Sequence, residues 1–208
     1  MADTKVDEID LDEELPPLPK MACKETDCAK NLHCFLQNKQ DSKPVSGGKC
    51  RECGAELVTW SRVHKRKLQD AAYTFSMLRL EWIRHRFFHQ PLTLRERNYA
   101  KRKGRVGMRA AAEKRIRDSV ASEKPFMDGA QTPWTGNILY YAQHAMACCC
   151  RTCIAEWHGI PGGRELNEDE IRYLTDLLCL YVDQRMPELT ETGENVPSIR
   201  KKKLTPKG

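Results

Sequence analysis

"AQHAMACCCRTCIAEWHGI", residues 142–160, places four cysteines and two histidines within the 15 positions from His144 to His158. Zinc prefers thiolate and imidazole ligands, and a C-x-x-C pair sets two sulfurs on one side of an ion. Cys150 and Cys153 form such a pair. On a helix Cys149 and Cys153 share a face, as Cys150 and Cys153 nearly do, and His158 follows just over a turn later. The preceding "ILYYAQHA", 138–145, is β-branched and aromatic and predicts a strand. The residues from about 150 to 158 predict a helix that "GIPGG" ends. The first expectation is therefore a metal that ties a strand to a helix start through His144, Cys149, Cys150, Cys153 and His158.

Five more cysteines crowd the N-terminal part: Cys23, Cys28, Cys34, Cys50 and Cys53. "KCRECGAEL" is a C-x-x-C-G knuckle whose glycine lets backbone amides turn toward the sulfurs. A knuckle pair plus a helix-start pair is the plan of a treble-clef module, and two groupings are open. Cys50, Cys53, Cys150 and Cys153 share one zinc, or each region closes its own site. In the second grouping Cys28, Cys34, Cys50 and Cys53 hold the N-terminal ion, with Cys23 or His33 as substitutes. Cys148 and Cys179 read as space-filling residues, and His33, His64, His85 and His89 as surface groups. Iron–sulfur clusters also take cysteine ligands; zinc, one or two ions, is the preferred reading.

Composition bounds the rest. The 208 residues are 40% hydrophobic and 31% charged, which suits one domain with appendages or two small ones. No run of 18 apolar residues predicts a membrane helix. The acidic "MADTKVDEIDLDEELPPLPK" lacks the apolar centre of a signal peptide. A cytoplasmic protein is expected, and in a reducing compartment clustered C-x-x-C pairs bind metal more often than they form disulfides.

The chain divides into an acidic tail (1–20), a cysteine-rich zinc ribbon (21–62), a helical domain carrying the strand and the Cys/His cluster (63–190) and a basic tail (191–208). The fold class is mainly α with a few short strands, with zinc-ribbon or treble-clef-like modules joined to the helical domain. An amphipathic helix is predicted over 68–88, from Leu68, Ala72, Phe75, Leu78 and Trp82. Thr93 and Glu96 form a capping box, Gly104 and Gly107 break the following run, and helix resumes with "MRAAAEKRIRDSV". Asn167 and Glu170 cap the last helix, whose apolar face is Ile171, Leu174, Leu177, Leu178 and Tyr181, and Pro187 ends it.

The net charge of +6 hides a segregation: residues 62–117 carry +13 and residues 118–199 carry −8. A basic middle of this density suits phosphate binding, with Arg84, Arg86, Arg97, Lys101, Arg102, Lys103, Arg105, Arg109 and Arg115 as the candidate contacts. "KRKGRVGMR" adds a G-x-x-G and a helix start, and echoes the KH-domain loop.

The stretch from "DGAQTPWTGN" through the CCR-x-C core, "WH", "GREL" and an acidic helix resembles an uncharacterised prokaryotic family, domain of unknown function 4186, over about 78–186. The resemblance puts the family core on Gln143, His144, Cys149, Cys150, Arg151, Cys153, Trp157 and His158. Cys148 and Met146 stand where threonine is expected. It implies that the C-terminal cluster manages without Cys50 and Cys53, favouring two local sites, and it supplies no reaction. The function expected is a zinc-stabilised nucleic-acid-binding protein. The alternatives are a metal-dependent nuclease or hydrolase with an HNH-like site using His144 as base, thiol chemistry with Arg151 beside "CCCRTC", and a protein-interaction adaptor. The acidic N-terminal tail is a candidate protein-binding segment, or a mimic that competes with a polyanion for the basic middle.

Overall fold

The computed structural model describes residues 23–36 and 48–196. The expectations for the acidic segment 1–20, and for the basic tail beyond 196, fall outside the described residues. Seven α-helices are described: α1 Trp60–Val63, α2 Ala71–Leu78, α3 Trp82–His89, α4 Leu94–Val120, α5 Ile138–Ala145, α6 Arg151–His158 and α7 Glu168–Arg185. None is long and apolar enough to cross a membrane. The strand content is two isolated bridges, Asp27 with Leu32 and His33 with Glu81. The fold is thus mainly α, as the composition implies.

The segment 138–145 is a helix, not the strand its residues suggest. Asn137 caps it by accepting from the Leu139 amide, and every residue but Tyr140 is buried. A helix buried on nearly all sides shows no 3.6-residue pattern, so its apolar run imitates a strand. α5 packs against α3, α4 and α7, while α1 rests on α6. The N-terminal region shares this core: Phe35, Trp60 and Trp157 lie in mutual contact, with ring centroids 5.1–6.0 Å apart.

The helix expected over 68–88 is two helices, broken at Glu81. That residue is extended, at φ −87°, ψ 124°. It lies beside His33, whose amide donates to Leu80 O and whose carbonyl accepts from the Trp82 amide. The break lets a buried carboxylate point inward rather than sit on a helix surface.

α4 begins at the expected capping box and runs through Gly107; only Gly104 departs from helix, at φ 61°, ψ −179°. That conformation is essentially restricted to glycine. The kink frees backbone groups, and the segment 190–194 takes them. The amides of Arg105 and Val106 donate to the carbonyls of Thr190 and Glu191, and the Glu194 amide donates to Lys101 O. A Cβ on Gly104 would lie 2.4 Å from Thr192 C, and one on Gly193 1.9 Å from Arg102 O. The G-x-x-G helix start is therefore occupied by the chain's own backbone, which corrects its reading as a KH-like phosphate loop. Gly104→Ala is expected to cost about 1–3 kcal/mol in urea denaturation and to open the 190–194 segment to proteolysis.

The segregated charge is largely spent inside the molecule. Arg105 pairs with Asp183, Arg109 with Asp176, and Arg117 with Glu168, all across the α4–α7 contact.

Candidate metal centres

Two groups of side chains converge among the described residues: Cys28, His33, Cys50 and Cys53; and Cys149, Cys150 and Cys153. Within each, the ligand atoms all lie within 4.8 Å of one another. All ten cysteines are free thiols. The two groups are separate, so the single site shared by the two C-x-x-C pairs is not formed.

The first group is built by a turn and a knuckle. The Gly54 amide donates to Cys50 O, and Gly54 sits at φ 75°. The Sγ atoms of Cys28 and Cys50 lie 3.8 Å apart, and Cys53 Sγ lies 3.5 Å from His33 Nδ1. Burial alone would push the Cys50 thiol up. Backbone amides at Cys53, Cys34 and Glu52 and the His33 side chain outweigh it and bring it down to about 6. His33 Nε2 lies 3.0 Å from Asn31 Oδ1. Donation to that oxygen puts the ring proton on Nε2 and leaves Nδ1 facing the sulfurs with a lone pair, the usual role of an outer-shell partner.

His33, not Cys34, completes this group, correcting both the choice of Cys34 and the reading of His33 as a surface group. Residues 32–33 are bridged and extended, and successive side chains of extended chain point to opposite sides. With His33 facing the sulfurs, Cys34 turns into the core, fully buried, and donates its thiol to Cys23 O.

The second group sits where α6 starts. Cys150 is the N-cap residue, and its Sγ accepts from the Cys153 amide at 3.4 Å. All three cysteines are buried. The cation beside them is Arg84, donating to Cys153 Sγ at 3.0 Å, to Cys149 Sγ at 3.6 Å and to His144 O at 2.7 Å. Donation from the Cys150 and Cys153 thiols, reinforced by Arg84, holds Cys149 well below the ordinary thiol range.

Glu81 completes the network, and nothing in the sequence pattern singled it out. Its carboxylate accepts from Arg84 Nε at 2.9 Å, Trp157 Nε1 at 2.9 Å and the Phe35 amide at 3.2 Å. Both Glu81 and Arg84 are 1% exposed. Burial pushes the Glu81 carboxyl up, while Arg84 and the other two donors pull against it; three donors on one carboxylate favour its charged form. A glutamate interrupting an apolar helix face was the only available hint.

Several expected residues take other roles. Arg84 is not a surface cation for phosphate, since its guanidinium serves the thiols. Arg151 points away from them, to the carbonyls of Val120, Pro161 and Arg164. Arg105 and Arg109 are ion-paired, and Arg115 donates to Gln143 Oε1 and Gln131 O. His144 Nε2 lies 3.3 Å from both the Thr132 and Pro133 carbonyls, and the ring stacks on Phe87. His158 lies between Met146 O, at 2.8 Å from Nε2, and Tyr173 Oη, at 3.3 Å from Nδ1. Neither imidazole joins the thiols, because other partners already hold both rings. Cys148 donates to Met146 O, as a packing residue would.

Burial, countered only in part by these acceptors, lowers both His144 and His158 to about 4. A depressed histidine stabilises the fold above its unfolded value, 6.5, and that contribution is lost as the pH falls toward 4, where the unfolded chain binds protons the folded one refuses. Urea denaturation at fixed metal occupancy is expected to show stability falling between pH 6.5 and 4. The fall should be about 3 kcal/mol per histidine over the whole window, and shallower in a His158→Asn variant.

The model of a family described as a domain of unknown function, DUF4186, matches residues 72–183. That is more than half of the 208 residues. The chain belongs to this family. In this DUF4186 protein the matched residues hold α3 to α6 entire, hence the second thiol group, Arg84 and Glu81; the first metal group lies N-terminal to them. No solved structure matches the chain.

Proposed function

We propose that the chain is a zinc-braced protein that binds single-stranded nucleic acid on α4. Zinc is supported by edge lengths. Zn–S bonds of about 2.3 Å and a Zn–N bond of about 2.0–2.1 Å at tetrahedral angles require S–S and S–N edges of about 3.8 Å and about 3.5 Å. The Cys28–Cys50 and Cys53–His33 separations have these lengths.

The observation that carries the nucleic-acid reading is a groove of about 460 Å³ between α4 and the start of α5. Tyr99 and Tyr140 line it, over a floor of Gly107, Ala110 and Ala111. Each tyrosine has a cation over its ring: Lys103 lies 5.3 Å from the Tyr99 centroid, and Arg115 4.9 Å from that of Tyr140. Arg95, Arg97, Lys101 and Lys103 have no carboxylate partner among the described residues. Flat aromatic walls beside cations suit stacked bases with their phosphates outside. The hydrolase alternative loses its base, since His144 lies on a helix with Nε2 against two carbonyls.

The test is retention of labelled single- and double-stranded DNA and RNA by the zinc-loaded chain. Single strands should bind best. Tyr99→Ala and Tyr140→Ala should each cost about 1–3 kcal/mol, or about 5- to 150-fold. Lys101→Ala with Lys103→Ala should flatten the salt dependence by about 0.7 per lost phosphate contact. If no nucleic acid is retained at 50 mM salt, on the order of the low end used for such titrations, the reading fails and the adaptor alternative takes its place.

A further inference from the structure

The second group has three ligands, and a closed tetrahedral thiolate site takes four. The two imidazoles nearest in sequence are turned to other partners, the Cys148 thiol is committed to Met146 O, and the Glu81 carboxylate already accepts three hydrogen bonds. We infer that Cys23 is the fourth ligand, so that the N-terminal cysteine-rich region closes the metal site of the family core. This rests on the zinc reading of Cys149, Cys150 and Cys153.

The placement follows a short chain of contacts. Cys23 O accepts the Cys34 thiol at 3.2 Å. The next residue, Phe35, donates its amide to Glu81, Glu81 holds Arg84, and Arg84 donates to Cys149 and Cys153. Cys23 is half-buried and packs against the core. Burial dominates the electrostatics of its thiol, and the next influences on it are Arg84, Cys153 and Cys149, the groups of the second site. Cys23 plays no part in the first site, which has four ligands without it. Its sulfur stands outside the three that converge, so the ion draws it in. Four thiolates on a divalent ion leave two negative charges, and Arg84, already donating to two of the sulfurs, offsets part of that excess.

The experiment measures zinc per chain and zinc affinity on the full-length protein under reducing conditions, by native mass spectrometry and chelator competition. The wild type should hold two ions. Cys23→Ser should keep one at wild-type affinity and hold the other at least about tenfold more weakly. Cobalt loading of Cys23→His should give a tetrahedral spectrum with weaker sulfur-to-cobalt charge transfer, a change that a packing role for Cys23 would not produce. Two ions in Cys23→Ser at unchanged affinities, or an unaltered cobalt spectrum in Cys23→His, would overturn the fourth-ligand assignment and leave the three-thiol site standing. A wild type that holds a single ion, lost in Cys53→Ser, would overturn the zinc reading of the second group and the inference with it.

Discussion

Glu81→Ala is expected to destabilise the protein by about 3–5 kcal/mol, the range for removing one member of a buried ion pair. At about 2–4 °C per kcal/mol for a chain of this size, the melting temperature should fall by about 6–20 °C. The cost comes from what is left behind. Arg84 would keep a buried charge with only sulfurs and one carbonyl to answer it. Trp157 Nε1 and the Phe35 amide would lose their acceptor, and a buried donor without a partner costs about 1–3 kcal/mol. Because Glu81 joins three parts of the chain, its loss should also loosen the contact of Phe35 with Trp157, read as faster hydrogen exchange over residues 32–36. A double-mutant cycle with Arg84→Met separates the ion pair from packing. The double variant should be destabilised by clearly less than the sum of the two singles. Additive losses would mean that the two side chains act independently.

Removing the metal should have a still larger effect. Structural zinc sites in small peptides are worth about 10–16 kcal/mol of apparent folding free energy. Here a helical core supports the fold independently, so part of that is expected: a loss of at least about 5 kcal/mol on stripping both centres with a strong chelator, or about 10–20 °C in melting temperature. The first region to respond should be 23–58, which has no α-helix of its own. Trp60 packs there on Phe35 and donates to Gly48 O, so its fluorescence should shift to the red. Restoring zinc should reverse both changes. A chelated protein with unchanged melting temperature and fluorescence would remove metal from the account of the fold.

Features set by neighbours in sequence were legible. The Thr93–Glu96 and Asn167–Glu170 boxes depend on residues three apart, and the two C-x-x-C pairs announce themselves by spacing. What failed depended on partners far along the chain. Arg84 was counted with the phosphate-binding cations because charge density does not tell which way a side chain points; its sulfur partners are 65 and 69 residues away. Glu81 answers to an amide 46 residues before it and an indole 76 residues after it. His144 and His158 carried the right chemistry for ligands, but burial among carbonyls and a tyrosine gave them other partners.

The three pairs across the α4–α7 contact are half-exposed, and such pairs contribute about 0–1 kcal/mol each. Their consequence is alignment rather than strength. Positions 105, 109 and 117 meet 183, 176 and 168 in reverse order. Sliding one helix along the other by a turn, about 5.4 Å, would carry all three arginines past their carboxylates at once, while the apolar contacts between the helices would barely distinguish the two settings. The opposed charge blocks in the sequence thus act as a ruler that admits one antiparallel setting of the two longest helices.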